Sequence, residues 1–312
     1  MKNQTAVTEF LLLGLSNLSY LKIPLFVLFL LIYCTTLVGN FLIISLIWTD
    51  SHLHTPMYFF LSNLSCLDCG CSTVIVPKML SDFLVKRKTI SFTGCFTQLY
   101  LFVVFACTEM LLLTVMAYDR YVAICYPLHY TSIMSKRICV RLAAGSWLSG
   151  LLYGLLHTFL TSRLSFCESN VINHFFCDIP PLLMLSCSEI VINLVAIFVS
   201  AVFLVIGAFS VAILSYIQII RSILKIRSTK GQCKAFSTCS SHLTVVTIFY
   251  AAFAFTYMRP TSSYSLSKDR VVSVIYTALT PMLNPLIYSL RNKEVKTALI
   301  KIIQRKIYFI NL

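Results

Sequence analysis

The chain has 312 residues, of which 58% are hydrophobic and 12% charged, and its mean hydropathy is +0.85. Its polar groups are too few to cover that apolar surface in water, which excludes a soluble globular protein. A net charge of +14 raises nucleic acid as a partner, but the basic residues flank apolar runs in short segments, where membrane topology accounts for them and no nucleic acid is needed.

At the N-terminal end, Phe10 to Leu15 is a short apolar run without a cleavage site, so the first helix is expected to direct insertion itself. Asn3-Gln4-Thr5 is a glycosylation sequon in a tail (1–22) expected outside the cell, and Asn17-Leu18-Ser19 is a second one nearer the membrane. Apolar stretches follow at Ile23 to Trp48, Met57 to Leu80, Leu99 to Tyr118, Ile138 to Leu160, Ile190 to Ile220, Leu243 to Met258 and Val271 to Leu290. Most are near the ~20 residues that cross hydrocarbon as a helix, which predicts an all-α bundle of seven transmembrane helices over 23–290. The sixth is the least clean, with semi-polar Phe236 to His242 supplying its inner turns. Asn63-Leu64-Ser65 also matches a sequon but falls inside the second helix, where it is read as a chance match.

More Lys and Arg fall on the side of Arg120, Arg221 to Lys234 and the C-terminal tail than on the other, which favours that side as cytoplasmic, although Lys86-Arg87-Lys88 works against it. In the tail (291–312), Arg291 to Tyr308 sets Val295, Leu299, Ile302 and Ile303 near one face among lysines, a pattern for a short amphipathic helix on the inner leaflet. No connection is large enough to fold by itself, the longest being about Thr161 to Glu189, so a single membrane domain is expected.

Most of the 13 cysteines lie within apolar helices, where cysteine packs as a small hydrophobe. Cys95, Cys167, Cys177 and Cys187 are placed to oxidise and allow three pairings. Asp68 and Glu109 are acids at hydrocarbon depth, each costing about 2.5–3.5 kcal/mol on insertion scales if left unpaired. With Asn40 and Asn284 at matching depth, they can converge on water, a shared proton or a sodium ion; the alternative is a protonated, hydrogen-bonded pair that only ties helices together. Pro285 should kink the seventh helix and free polar groups near Asn284.

Several motifs then accumulate: Gly39-Asn40, the run Leu53-His54-Thr55-Pro56-Met57-Tyr58-Phe59-Phe60-Leu61, Val76-Pro77-Lys78-Met79-Leu80, and Ser215-Tyr216. Lys234-Ala235-Phe236-Ser237-Thr238-Cys239 and Pro281-Met282-Leu283-Asn284-Pro285-Leu286-Ile287-Tyr288-Ser289 follow. The most informative is Met116-Ala117-Tyr118-Asp119-Arg120-Tyr121-Val122-Ala123-Ile124-Cys125, which ends an apolar helix on a charged pair that can neutralise itself. Nearly end to end, the chain resembles the olfactory receptors, a branch of the rhodopsin-like G-protein-coupled receptors.

The resemblance implies bonds Cys95 to Cys177 and Cys167 to Cys187, the first pinning a loop over the mouth of the bundle. It implies that Tyr216 and Tyr288 are inward-facing switches that stabilise Arg120 once it leaves Asp119, opening a cleft beside Tyr121 for a G protein. Lys234 and His242 then help to hold the sixth helix closed. Where the superfamily usually has tryptophan and a kinking proline in that helix, this chain reads Phe249-Tyr250-Ala251-Ala252-Phe253, which makes Tyr250 the candidate transmission residue.

Helical spacing puts Phe102, Val103, Ala106 and Cys107 on one face of the third helix, and Tyr250, Phe253, Ala254 and Tyr257 on one face of the sixth. Ser200 and Leu204 on the fifth, with Ser273 and Thr277 on the seventh, complete a mostly apolar candidate ligand cavity. The outer half of the third helix has no acid to face an ammonium, so a small, mostly hydrophobic volatile fits better than a biogenic amine. Arg259 and Arg270 can receive a carboxylate or snorkel to the interface. His174-Phe175-Phe176-Cys177-Asp178 reads as soft metal ligands only if Cys177 is not oxidised.

The expected function is an odorant receptor in the plasma membrane, N-terminus outside, that raises cyclic AMP through a stimulatory olfactory-type G protein. No cofactor is expected beyond the candidate sodium ion. No nucleophile-and-base set or His-Glu-x-x-His motif supports an enzyme, and the single Asn-Pro break does not suit a channel or transporter.

Overall fold

The computed structural model describes residues 7–15, 18–167, 169–225, 228–257, 266–291 and 295–300. Among these, seven long helices form the bundle: α1 (Lys22–Thr49), α2 (Pro56–Leu84), α3 (Phe92–Cys125), α4 (Lys136–Ser162), α5 (Val191–Leu224), α6 (Thr229–Tyr257) and α7, built from Leu266–Val274, Ile275–Leu279 and Thr280–Arg291. Six are long and apolar enough throughout to cross a bilayer, while the apolar part of α6 is only His242–Tyr257, as its semi-polar start predicts. Local chemistry sets the ends: Pro56 opens α2, where a missing N–H costs nothing, and the Ser91 hydroxyl accepts the Gly94 N–H at 3.1 Å to cap α3.

Helix α3 is the most enclosed, with its most apolar stretch largely buried, while α1, α4 and α5 turn large apolar side chains such as Val38, Leu152 and Phe203 outward. A close approach joins α3 to α4. A Cβ added at Gly150 meets the Val104 carbonyl oxygen at 2.9 Å and one at Gly154 meets Val104 Cγ2 at 2.6 Å, so two small residues one turn apart let the backbones touch. Gly39 does the same between α1 and α7, where a Cβ would stand 3.1 Å from the Pro285 ring.

The Gly39-Asn40 and Asn284-Pro285 motifs explain each other. Proline at 285 cannot donate to the carbonyl four residues earlier, and that carbonyl, Pro281 O, instead accepts the Asn40 amide at 3.1 Å. Gln98 on α3 bridges two elements, donating to Val74 O near Pro77 at 2.9 Å and accepting the Cys177 N–H at 3.0 Å.

At the end of the bundle bearing Cys95, the segment expected only to be a short apolar run forms a strand. β1 (Glu9–Leu12) pairs antiparallel with β2 (Thr89–Ser91) and parallel with β3 (Val171–Ile172), in the order β2-β1-β3. Phe10 and Leu12 point inward and are buried, with the Phe10 ring edge-on to Phe166 at 5.3 Å. Lys88 donates to Leu13 O at 2.8 Å, which gives one member of the Lys86-Arg87-Lys88 cluster a structural role. Disulfides Cys95–Cys177 and Cys167–Cys187 tie the long loop to the top of α3 and to itself.

Asn63 lies inside α2 with its amide donating to Phe59 O, and it accepts the Trp147 indole N–H at 3.1 Å. Asn3, Asn17, Arg259 and most of the amphipathic tail lie outside the described residues; within 295–300, Val295 and Ala298 are buried and Lys296 and Ile300 exposed.

The α3–α4 contact generates a prediction. Gly150→Leu should reduce surface-expressed, folded receptor several-fold, since overpacking typically costs 1–3 kcal/mol and here meets backbone, whereas Gly145→Leu, whose Cβ meets nothing within 4 Å, should be tolerated. Surface immunostaining of the two variants in parallel checks this.

Candidate functional site

A cavity with about 460 Å³ of space between atoms lies toward the disulfide end of the bundle. Phe102, Val103, Ala106, Cys107 and Met110 of α3, Tyr153 of α4, Ile197, Leu204 and Val205 of α5, and Phe253 and Tyr257 of α6 line it, with Ile179 of the long loop as its lid. The centre of a water molecule has only about 20 Å³ to move in, close to the minimum that holds one water, so the walls must spread to admit a larger guest.

Seven of the twelve residues expected at the cavity line it: the four on α3, Leu204, Phe253 and Tyr257. Five do not. Ser200 turns toward α4, where it meets His157 Nε2 at 3.2 Å and the Tyr153 hydroxyl at 3.3 Å. Tyr250 and Ala254 are absent from the walls, and Ser273 and Thr277 are buried in α7, Ser273 against the Tyr276 hydroxyl at 3.0 Å and Thr277 on the Ser273 carbonyl at 2.6 Å. Both α5 and α7 contain wide π-helical turns, Ala201–Ile206 and Ile275–Leu279, which shift the faces that regular 3.6-residue spacing assigns. Met110, Tyr153, Ile179, Ile197 and Val205 were not anticipated.

The lid is held by a buried carboxylate. Asp178 accepts the Ile179 N–H at 2.7 Å and the Tyr257 hydroxyl at 2.8 Å, so one side chain joins the loop to a wall of the cavity. Burial raises its pKa to about 6, opposed by these two hydrogen bonds and by Tyr276. Beside it, His174 stacks against Phe175 and Phe176, and burial with the nearby Arg270 charge lowers its pKa to about 3, so it is neutral at physiological pH. Cys177 is in a disulfide and no cluster of three metal-ligating side chains occurs among the described residues, so the soft-metal reading of this segment is withdrawn. Arg270 donates to Asn173, which ties α7 to the loop.

Directly beneath the cavity, the Tyr250 hydroxyl lies 2.8 Å from Thr114 Oγ1 and donates to the carbonyl of Met110, a cavity wall residue, at 3.3 Å. Tyr250 therefore joins α6 to α3 under the cavity floor. Nearby, the Asn284 amide donates to both carboxylate oxygens of Asp68 at 3.1 Å, and Glu109 is buried beside them with Oε1 unpartnered. Asn40 does not join this group directly, being engaged by Pro281 O and its own helix.

At the opposite end, the expected self-neutralising pair is corrected: Asp119 and Arg120 form no ion pair. Consecutive helical residues point about 100° apart. Asp119 faces the Tyr130 hydroxyl at 2.8 Å and Arg120 faces Met57 Sδ. Tyr130, on a short helical turn (Tyr130–Ile133), was not anticipated. The Tyr216 hydroxyl lies 2.5 Å from His242 Nδ1, fastening α5 to α6, and the Arg120 charge reaches both. Tyr121 turns to Tyr126, its hydroxyl 3.4 Å away. The side chains of Tyr288 and Lys234 lie outside the described residues.

The lid carries a pH dependence of known sign. Asp178 binds its proton more tightly folded than unfolded, so its contribution to stability is full below pH 3.8 and is lost as pH rises through about 6. Detergent-solubilised protein should lose about 1–3 kcal/mol across that window relative to Asp178→Asn, in which the slope from this group is absent. Thermal melts of both proteins from pH 4 to 7 check this.

A family model for the olfactory receptors matches residues 29–306. The chain is 53% identical to mouse olfactory receptor 5AR1 over 98% of both proteins, and 53% identical to human olfactory receptor 5F1 over 98% of this chain and 97% of the relative. Mouse olfactory receptor 5AP2 is 54% identical over 97% and 95% respectively. These relatives are receptors and not enzymes, and the chain they match folds into a bundle of apolar helices around one lidded cavity; it is a multi-pass membrane protein that belongs to the olfactory receptor family.

Proposed function

We propose that this receptor binds small, mostly hydrophobic volatile odorants in the cavity beneath Ile179 and activates a stimulatory olfactory-type heterotrimeric G protein at the Arg120 end, raising cyclic AMP. The observation that carries the reading is the cavity itself: its walls are apolar apart from the hydroxyls of Tyr153 and Tyr257, and no charged side chain among the described residues lines it. Such a site selects by shape and by one or two hydrogen bonds, which suits neutral volatiles carrying a single oxygen.

In this reading a guest spreads the walls, presses on Met110 and disturbs the Tyr250 anchor below. The movement frees Tyr216 from His242 at the far end, where Tyr216 and Tyr288 can then support Arg120. Asp119, Arg120 and Tyr121 with the end of α7 around Asn284 and Pro285 form the G-protein side. The Arg120 end faces the cytoplasm and the disulfide end the exterior of the plasma membrane, where Asn3 is glycosylated. Asp68 and Glu109 bind a sodium ion in the resting state; the unpartnered Glu109 Oε1 supports this, since a cation relieves two adjacent buried carboxylates.

The test is an odorant panel on cells that express this chain with the G protein and a cyclic AMP reporter. Responses should appear to neutral volatiles, and Ala106→Ile and Phe253→Leu should reorder agonist potencies by roughly 10- to 200-fold, the usual reach of a methylene-scale change in an apolar pocket. Arg120→Ala should abolish cyclic AMP while surface expression persists. On membranes at matched ionic strength, potency should fall as sodium replaces a bulky organic cation, and Asp68→Asn should remove that dependence. An unchanged agonist order contradicts the cavity, full signalling by Arg120→Ala contradicts the coupling, and identical curves in both cations leave the acids sharing a proton.

A further inference from the structure

A groove with about 780 Å³ of space between atoms, open to its surroundings, lies on the outer face of the bundle between α3, α4 and α5. Its walls include Gly145 of α4 and Gly207 of α5, and a Cβ built at either position meets nothing within 4 Å. These glycines differ from the others in the bundle: Gly39, Gly150 and Gly154 are small because a neighbouring backbone or ring presses on them, whereas Gly145 and Gly207 border open space. Phe203 and Val211 of the lining are exposed and apolar, which makes the groove continuous with the surface that faces lipid chains, while Ser149 and Arg141 are its exposed polar members.

At its Arg120 end the groove carries an arginine. Arg141 is exposed, lies about 7 Å along the axis from the start of α4, and has no ion pair or hydrogen bond among the described residues. A guanidinium this close to the helix end keeps its charge at the interface, where its planar fork matches a carboxylate lying at the same depth. From Arg141, the cleft runs away toward the middle of the membrane over Gly145, Thr114 and Gly207 to Leu204. A charge at the interface with a mostly apolar groove behind it complements an acid that carries a hydrocarbon chain.

We propose that this groove is a binding site for a free long-chain fatty acid, its carboxylate on Arg141 and its chain over Gly145 and Gly207. The chain would lie against two residues already described: Leu204, which is also a wall of the odorant cavity, and Thr114, which anchors Tyr250. The bilayer's content of free fatty acid would thereby act on the resting state from outside the bundle.

The test uses the purified full chain in nanodiscs of phosphatidylcholine with a palmitic acid analogue bearing a photoactivatable diazirine, the labelled peptides being located by mass spectrometry. No odorant or G protein is needed, so the outcome is independent of the functional assay above. Labelling of 111–115 and 203–211 should saturate, and palmitic acid should compete where methyl palmitate and phosphatidylglycerol do not. Arg141→Gln should reduce it roughly tenfold, as loss of a charge-assisted hydrogen bond requires. Gly145→Leu and Gly207→Leu should each reduce it similarly without lowering the melting temperature, because both side chains enter empty space. If one of the leucine variants is unstable, the other, and Gly145→Val, carry the same prediction. Labelling that survives the filled groove, or that the methyl ester or phosphatidylglycerol competes equally, overturns the proposal.

Discussion

Hydrocarbon offers no partner to a polar group, so each one inside this bundle must find its complement on another helix or in its own backbone. That constraint organises the molecule, and α3 takes part in many of its cross-helix solutions. In descending order along that helix, Gln98 holds α2 and the loop, Glu109 stands beside the Asp68–Asn284 pair, Thr114 meets Tyr250 of α6, and Asp119 takes the Tyr130 hydroxyl. Each bond is modest; interhelical hydrogen bonds in membranes average about 0.6 kcal/mol, and a few such bonds decide between arrangements that packing leaves nearly equal.

The same helix supplies five cavity walls between Phe102 and Met110, so the cavity and the polar ladder share a backbone. Met110 contributes its side chain to the cavity and its carbonyl to Tyr250. A guest that displaces Met110 therefore perturbs the α3–α6 contact with no intervening element. Farther along, α6 is held to α5 by Tyr216 and His242, and between these two fastenings it packs through apolar residues such as Val246 and Phe249. Loosening both fastenings releases the helix, whereas loosening either alone leaves it pivoting on the other.

The seven spans were legible in the sequence because twenty-residue apolar runs have few alternatives, and the cavity face of α3 was legible because that helix is regular from Phe92 to Cys125. All four residues read from its spacing line the cavity. On α5, Ser200 and Leu204 are four apart and were expected side by side, but a wide turn begins between them and they face different neighbours. Tyr250 was placed in the cavity by the same spacing; its hydroxyl instead turns to α3, where it meets Thr114 Oγ1 and the Met110 carbonyl. The three-stranded sheet was not legible, since strands of four, three and two residues carry almost no period and are fixed by pairing between distant segments. Tyr130 lay eleven residues beyond Asp119, across a loop whose path no local pattern sets.

The most direct test of this account is a double-mutant cycle on the α3–α6 fastening. Thr114→Val and Tyr250→Phe each delete one hydroxyl and little volume. If their mutual bond holds the receptor at rest, each should raise odorant-free cyclic AMP per surface receptor roughly threefold, the equivalent of about 0.6 kcal/mol, and the double variant should rise no further. Basal activities that multiply in the double variant, or that match the unmodified receptor in both singles, would contradict the claim that the cavity floor is tied to the output end through this contact.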